Sequence, residues 1–192
     1  MALREGRPTR EELAAAVDNL LPDVIAPGLG VLLCGINPGL WSAATGHHFA
    51  RPGNRFWPAL HRSGFTPRQF RPSEQDQLID LGLGITNLAA RATARADELS
   101  RDELTAGGAI LKSKVERFAP AWLAVLGVTA FRTAFGAQRV RVGPQEQDFG
   151  GARLWILPNP SGLNAHFTLD GLAAEFALLR EATRQRRVTP RR

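Results

Sequence analysis

Three segments of the sequence place polar or aromatic side chains where regular secondary structure is interrupted. The first, GINPG at 35–39, follows an apolar run, and its proline and glycines would hold the amide of Asn37 rigidly. A neutral carboxamide can orient a water molecule, but it is too weak a base to take a proton. An ordinary strand-ending turn explains the same residues, so this segment alone does not establish a site.

The second segment, HHFARPGNRFW at 47–57, mixes aromatic rings with arginines, a composition typical of surfaces that stack nucleic-acid bases. Phe49 fits no helical pattern and is the candidate for an exposed stacking ring. Phe56 and Trp57 are instead expected to anchor the following helix in the core. His47 and His48 could suggest a metal site, but adjacent histidines without a third ligand make a poor one.

The third segment, LPNPSGLN at 157–164, is stiffened by two prolines. Leu163 follows Gly162 in a polar loop and has no obvious core to join. An apolar side chain on a rigid loop can act as a wedge between stacked bases. The alternative is that Leu163 packs back under its own loop.

Several other kinds of site are excluded or disfavoured. No G-x-G-x-x-G or Walker phosphate loop is present. Ser42 and Ser161 could suggest a hydrolase triad with the histidines, but no G-x-S-x-G elbow accompanies them. Cys34 is the only cysteine, which excludes an intramolecular disulfide and any multi-cysteine zinc site. It lies in an apolar run and is expected to be a small core residue.

The composition is that of an ordinary globular protein with an excess of positive charge. The 24 Lys and Arg against 18 Asp and Glu give a net charge of +6, and Lys112 and Lys114 are the only lysines. A basic chain commonly binds a polyanion, and arginine favours bidentate phosphate contacts. Genomic composition bias can also produce such an arginine excess. We expect no membrane span and no secretory signal, and therefore a cytoplasmic protein.

The elements that must position these segments alternate between strand and helix. Apolar runs predict four buried strands, at 29–34, 84–88, 121–126 and 153–157. Capping residues and periodicity predict helices at 10–21, 57–61, 74–81, 101–118, 128–135 and 169–184, opened in part by Thr9, Asn54, Ser73, Ser100 and Thr168. This order predicts an α/β three-layer sandwich with a central, mostly parallel sheet of four to five strands.

Segments 36–55 and 158–165 each follow a predicted strand, so both should lie at the same edge of the sheet, where ligands bind in such folds. Segment 36–55 looks too irregular for a regular element, and loops of this length are usually functional. We divide the chain into an N-terminal helix and linker (1–27), one domain (28–184) and a basic tail (185–192) that we expect to be disordered.

The combined motifs resemble the mismatch-specific uracil-DNA glycosylase and thymine-DNA glycosylase family of the uracil-DNA glycosylase superfamily. The resemblance covers about residues 28–182, through GINPG, NRFW (54–57), GITN (84–87), AGG (106–108) and LPNPSGL (157–163). It implies a monomeric, monofunctional glycosylase that begins base-excision repair and needs no metal or cofactor. Its partner would be double-stranded DNA, from which it removes uracil, notably opposite guanine, and related pyrimidines such as ethenocytosine.

The resemblance also implies a set of site residues. Asn37 would be catalytic and would position the water that attacks the sugar C1′. The residues implied around the flipped base are Ile36, Gly39, Phe49 and Asn159. Those implied at the wedge and the opposite strand are Ser161, Gly162, Leu163 and Asn164. Ser42 and Asn87 are candidate modulators.

Three expectations follow from how this chain compares with the family. Asn37 and Asn159 stand where the fast branch of the superfamily carries Asp and His, so we expect slow excision. Gly39 stands where the strict uracil enzymes of the superfamily carry a tyrosine that blocks a 5-methyl group, so we expect bulkier bases to be accepted. Ala90 stands where an acidic residue is common, which leaves Asn37 with less help unless Asp97 or Glu98 reaches the pocket.

Two further departures concern the partners of the site. Asn164 and Ala165 replace a usual Ser-Arg pair after the wedge, which puts strict preference for guanine in doubt, and Asn87 replaces a lysine found in some members. Two other functions stay open at this point. One is a basic α/β protein that binds nucleic acid without catalysis, and the other is a hydrolase of small nucleosides.

Overall fold

A five-stranded β-sheet forms the centre of the computed structural model, which describes residues 7–185. Its strands are β1 (Val31–Gly35), β2 (Leu83–Asn87), β3 (Trp122–Leu126), β4 (Gly143–Pro144) and β5 (Arg153–Leu157). They lie in the order β2-β1-β3-β5-β4. Strands β2, β1, β3 and β5 run parallel to one another, and β4 is antiparallel to β5. The predicted α/β fold with a central, mostly parallel sheet is confirmed.

Helices connect the strands and cover the sheet. The α-helices in the described residues are α1 (Arg10–Ala15), α2 (Leu40–Thr45), α3 (Phe56–Arg62), α4 (Arg101–Phe118), α5 (Val128–Phe135) and α6 (Leu169–Gln185). Two 3-10 helices cover Pro72–Leu81 and Ala96–Glu98. Between residues 7 and 185, no helix combines the length and the apolar character needed to cross a membrane.

Both faces of the sheet are buried, because parallel strands are joined by crossovers that place helices on each side. Alternate residues of a strand point to opposite faces. Leu33 therefore joins a core with Phe56 of α3 and Phe176 of α6. Leu32 joins a second core with Leu111 of α4 on the opposite face.

Three core assignments made from the sequence are confirmed. Phe56 and Trp57 are 0% and 4% exposed and fix α3 against the sheet. Cys34 is fully buried in β1, and this burial raises the pKa of its thiol. A thiol that stays protonated is a poor nucleophile, so Cys34 acts as a small apolar residue.

The ends of several helices follow local signals in the sequence. Thr9 and Ser100 each form the predicted capping box, in which the cap and the third helical residue bond each other's N–H groups. The hydroxyl of Thr168 accepts a hydrogen bond from the Gly171 N–H at 3.1 Å and opens α6. Helix α5 has the bounds that the sequence predicts.

Helix α1 is shorter than the predicted 10–21. It ends at Ala15, and Asp18 then adopts a left-handed conformation with φ of 63°. The Asp18 N–H donates to the Ala92 carbonyl oxygen at 3.0 Å, so a distant loop takes the place of the next helical turn. A propensity argument could not foresee this contact.

Two other predictions of local structure are wrong. Segment 36–55 is not wholly irregular, because α2 lies within it and ends at Gly46, whose φ of 75° suits glycine. The helix over Pro72–Leu81 is a 3-10 helix and is not capped by Ser73. The Arg71 N–H donates instead to the Glu74 carboxylate at 2.7 Å.

The chain division at residues 28 and 184 stays a prediction. Apart from Gln185 at the end of α6, the predicted basic tail lies outside the described residues, as do residues 1–6.

Helix α4 approaches the rest of the fold very closely at two glycines. A Cβ added to Gly107 would lie 2.1 Å from the carbonyl oxygen of Leu88, in the loop that follows β2. One added to Gly108 would lie 2.7 Å from the ring of Phe135 in α5. The AGG motif therefore lets α4 press against the loop after β2.

We expect Gly107→Ala to lower the free energy of unfolding by about 1–3 kcal/mol, the usual cost of overpacking against atoms that cannot move. Gly171→Ala in α6 is the matched control, since its new Cβ would meet only ordinary contacts at 3.4 Å and beyond. That control should leave stability unchanged or raise it slightly. Urea unfolding measures both, and equal effects would contradict the close approach.

Candidate active site

A cleft of about 740 Å³ opens at the carboxyl edge of the sheet, beside the ends of β1, β3 and β5. The chain leaves β1 toward β2 on one side and passes from β3 to β5 on the other, so the cleft lies where the strand order reverses. The predicted site residues that line it are Ile36, Asn37, Gly39, Ser42, Phe49, Asn87, Asn159, Ser161, Leu163 and Asn164. Gly162 is the predicted site residue that does not line the cleft.

The carboxamide of Asn37 is held by its own two N–H groups. Its Nδ2 donates to the Arg91 carbonyl oxygen at 3.1 Å and to Thr93 Oγ1 at 2.7 Å. The Thr93 hydroxyl donates its single hydrogen to the Arg95 carbonyl oxygen at 2.7 Å, so toward Asn37 it can act only as an acceptor. Both amide hydrogens are therefore used, and no donor among the described residues occupies Asn37 Oδ1.

The backbone around Asn37 is fixed by a continuation of the β1–β2 pairing. The Ala89 N–H donates to the Ile36 carbonyl oxygen at 2.8 Å, and the Thr93 N–H donates to that of Pro38 at 3.2 Å. The segment after β1 is thus more than a turn, since it lies bonded along the loop after β2. This pairing positions Asn37 relative to Thr93.

The sequence predicted an exposed ring for Phe49, but the structure shows that this residue is half-buried. One face of its ring stacks on Phe56 with 4.0 Å between centroids and 19° between planes, and the residue lines the cleft. Its φ of 53° is unusual for an aromatic residue and costs on the order of 1 kcal/mol or more. The Ala50 N–H donates to Ser42 Oγ at 3.2 Å, and this bond helps hold the strained loop.

Leu163 projects into solvent and does not pack back under its loop. It is 73% exposed, the highest value among the large apolar residues between residues 7 and 185 that are classed as exposed. The Ser161 N–H donates to Asn159 Oδ1 at 3.0 Å, and Asn164 Nδ2 donates to the Asn159 carbonyl oxygen at 2.9 Å. These bonds give the loop a defined shape beneath Leu163.

The side chain of Asn164 is hydrogen-bonded at both ends of its amide within this loop. Besides the bond from Nδ2, its Oδ1 accepts from the His166 N–H at 3.1 Å. These two bonds fix the orientation of the amide, and one N–H of Nδ2 stays without an acceptor among the described residues. Asn159 differs, because only its Oδ1 is engaged among the described residues and its Nδ2 keeps both donors.

The sequence model of the Uracil DNA glycosylase superfamily matches residues 22–183, which is most of the chain. The protein belongs to the uracil-DNA glycosylase superfamily. It is accordingly a DNA glycosylase, a hydrolase of N-glycosidic bonds that acts on DNA in base-excision repair. The superfamily resemblance noted from the motifs is confirmed, whereas the mismatch-specific branch stays a prediction.

In this glycosylase a buried histidine orients a second amide of the cleft. His48 is 1% exposed, and its Nε2 lies 2.9 Å from the Pro22 carbonyl oxygen, which can only accept. In the neutral ring Nδ1 is then bare and accepts from Asn87 Nδ2 at 3.4 Å. Asn87 Oδ1 consequently lies over Gly35, where an added Cβ would be only 2.6 Å from it.

The cleft offers no unpaired carboxylate beside Asn37. Asp97 is the acidic residue that lines it among residues 7–185, and both its oxygens are bound by Arg95. Glu98 does not line the cleft, so of the two acids considered from the sequence only Asp97 reaches it. Within the described part of the chain, no three His, Cys, Asp or Glu side chains cluster as metal ligands would.

Sequence reasoning missed three residues that shape the site. Thr93 anchors Asn37, His48 orients Asn87, and Gln75 accepts from the His48 N–H at 2.7 Å. None lies within a motif that signals such a role. His48 was considered only as a metal ligand, because the sequence shows its ring but not the carbonyl that fixes its tautomer.

His48 should make the stability of the glycosylase depend on pH. Burial lowers the pKa of this imidazole, so below about pH 6.5 the unfolded chain binds a proton that the folded protein resists. The contribution of neutral His48 to the free energy of unfolding is therefore complete above that pH. It is lost as the pH falls, by at most about 1.4 kcal/mol per pH unit.

Urea unfolding between pH 7.5 and 5.5 measures this dependence. We expect a shallower slope for His48→Gln than for the wild type, because the buried titrating group is gone. His166→Gln removes an exposed imidazole and should keep the wild-type slope. Identical slopes for all three proteins would refute the assignment.

Proposed function

We propose that this glycosylase excises uracil, notably opposite guanine, from double-stranded DNA by directing a water molecule to C1′ with Asn37. The observation that carries the proposal is the anchored carboxamide. Both N–H groups of Asn37 are bound by protein, which leaves Oδ1 as a fixed acceptor at the wall of a cleft. A base can reach this cleft only after it is flipped out of the duplex.

The chemistry requires orientation rather than proton abstraction. The water oxygen forms a bond to C1′ while the C1′–N1 bond breaks, and the base leaves with the electron pair. The proton that the water loses passes to solvent, because a carboxamide cannot take it. Asn37 Oδ1 accepts a hydrogen bond from the water and holds its lone pair toward the sugar, where orientation alone provides a large rate gain.

The departing base develops negative charge on its oxygens and needs neutral donors. The proposal assigns this task to the backbone amides of Ile36 and Phe49 and to Asn159 Nδ2. Donors held in place before the reaction stabilise such charge without further rearrangement. Between residues 7 and 185 the one carboxylate that lines the cleft, Asp97, is paired with Arg95, which supports the expectation of a slow enzyme.

Recognition of the flipped base is assigned to Phe49 and Asn87. The ring of Phe49 is stacked on the core, and its cleft side offers a surface for a pyrimidine. Asn87 Nδ2 donates one hydrogen to His48, which orients the amide and leaves Oδ1 as an acceptor for a ligand. It would accept from the N3–H of uracil and would repel the N3 lone pair of cytosine.

The space near Gly39 supports tolerance of larger bases. No atom lies within 4 Å of a Cβ placed on Gly39, so a substituent on the pyrimidine meets no wall there. Ethenocytosine lacks the N3–H that Asn87 would read. We therefore expect it to be accepted but to react more slowly than uracil.

Leu163 is assigned as the wedge that fills the space left by the flipped nucleotide, since it is exposed and held on a shaped loop. Both ends of the Asn164 amide are bonded within the loop, so we assign Asn164 to shaping the loop and assign contact with the opposite base to the backbone of Gly162. A single backbone contact would give only a modest preference for guanine.

The proposal is tested on an oligonucleotide panel under single-turnover conditions. The substrates carry uracil opposite guanine, uracil opposite adenine, single-stranded uracil, thymine opposite guanine, and ethenocytosine. We expect uracil opposite guanine to react fastest and ethenocytosine to follow more slowly. Asn37→Ala should lose about 100-fold or more in rate and still bind DNA, because it removes orientation and not affinity.

Two results on this panel would reject the proposal. Binding of wild type without release of any base would leave a non-catalytic DNA-binding protein. Release of uracil from free deoxyuridine, but from none of the oligonucleotides, would indicate a nucleoside hydrolase.

The Thr93 anchor generates a separate prediction. Thr93→Val removes the acceptor for Asn37 Nδ2, and we expect a rate about 10-fold lower, which corresponds to one lost hydrogen bond. Thr93→Ser keeps the hydroxyl and should stay within about threefold of wild type by the same reasoning. Equal single-turnover rates for the two variants would show that the anchor does not matter.

A further inference from the structure

The loop that carries Leu163 is held by one arginine. The guanidinium of Arg55 donates to the carbonyl oxygens of Ser161 at 2.5 Å and Asn164 at 2.8 Å, and also to that of Phe167. Leu163 lies between two of these three carbonyls. The arginine therefore binds the loop on both sides of the exposed side chain.

Backbone contacts from the same segment reinforce this clamp. The Arg55 N–H donates to the Pro160 carbonyl oxygen at 3.0 Å. A Cβ added to Gly162 would lie 2.6 Å from the Gly53 carbonyl oxygen, so the two loops touch directly beside Leu163. Residues 53–55 thus contact the loop from its start to its end.

The clamp is itself fixed to the core. Arg55 immediately precedes α3, whose first residue, Phe56, is fully buried. Arg55 forms no salt bridge with any carboxylate between residues 7 and 185, and its Nε is buried without an acceptor. An orphaned N–H disfavours folding, so this geometry is poorly explained by stability alone.

We propose that Arg55 is a positioning residue for the wedge, an inference that rests on the proposed function. By bridging three carbonyls it keeps the loop in one conformation and presents Leu163 outward before DNA arrives. A loop that had to be ordered during insertion would lose conformational entropy at that step. Arg55 should therefore matter when a paired base is extruded and not when the base is already unpaired.

The first test compares two substrates under single-turnover conditions: uracil opposite guanine in a duplex, and uracil in an unpaired bulge. We expect Arg55→Lys to slow the duplex reaction about 10-fold, because a single ammonium group cannot span three carbonyls. The bulge reaction should stay within about threefold of wild type, because a base that is already unpaired costs least to extrude. Equal losses on both substrates would overturn the inference.

The matched control is Arg62→Lys, at the other end of α3. Arg62 pairs with Asp170 at the surface and takes no part in the clamp. Arg62→Lys should leave both rates unchanged. If Arg62→Lys slowed the duplex reaction as much as Arg55→Lys, the effect would not be specific to the clamp, and the inference would be overturned.

A double-mutant cycle tests whether Arg55 acts through Leu163. Leu163→Ala should slow the duplex reaction, and adding Arg55→Lys to it should cause no further loss. Additive losses would show that Arg55 acts by another route, and would overturn the inference.

Hydrogen exchange tests the clamp without reference to activity. The Asn164 N–H donates to the Ser161 carbonyl oxygen at 3.0 Å, and this amide should exchange about 10-fold faster in Arg55→Lys. Unchanged exchange would overturn the clamp even if excision falls. If wild type excised uracil from neither substrate, the proposed function would fail, and the exchange rates would still decide whether Arg55 orders the loop.

Discussion

The hydrogen bonds from both amide hydrogens of Asn37 to the loop after β2 are the interaction on which the rest of the site depends. A carboxamide has no useful basicity, so whatever it contributes to catalysis must come from where its oxygen points. That direction is set by two acceptors, the Arg91 carbonyl and the Thr93 hydroxyl, and by the donation of Thr93 to Arg95. Any change that moves this loop also moves the oxygen of Asn37.

The remainder of the fold keeps the two sides of the cleft in place. On one side α4 presses on the loop after β2, an approach that only a glycine at position 107 permits. On the other side Arg55 connects the start of α3 to the loop of Leu163. Both devices use backbone carbonyls as partners and leave no carboxylate in the contact. Among residues 7–185 no carboxylate pairs with Arg55, so its positive charge can add to the field that attracts DNA phosphates.

Much of the architecture could be predicted because its signals are local. Four strands were predicted, most of them from largely apolar segments, since parallel strands are buried on both faces. The capping boxes at Thr9 and Ser100 need only residues three positions apart. Two of the errors arise from tertiary contacts that local patterns do not show. Helix α1 ends early because Asp18 bonds Ala92, and the ring of Phe49 is half-buried because it stacks on Phe56 within the core.

By itself the sequence determined the four parallel strands and the helices between them, the burial of Cys34, and the position of two irregular segments at one edge of the sheet. It did not show α2 or the short strand β4. The family resemblance then indicated which side chains belong to the site, and the cleft contains nearly all of them. Only the tertiary structure decided which polar atoms remain available. Asn37 Nδ2 donates to Arg91 and Thr93, which lie 54 and 56 positions further along the chain. The amide of Asn164 is hydrogen-bonded within its own loop. The physical reason is that a hydrogen-bond partner depends on distance in space, which a residue pattern along the chain does not specify.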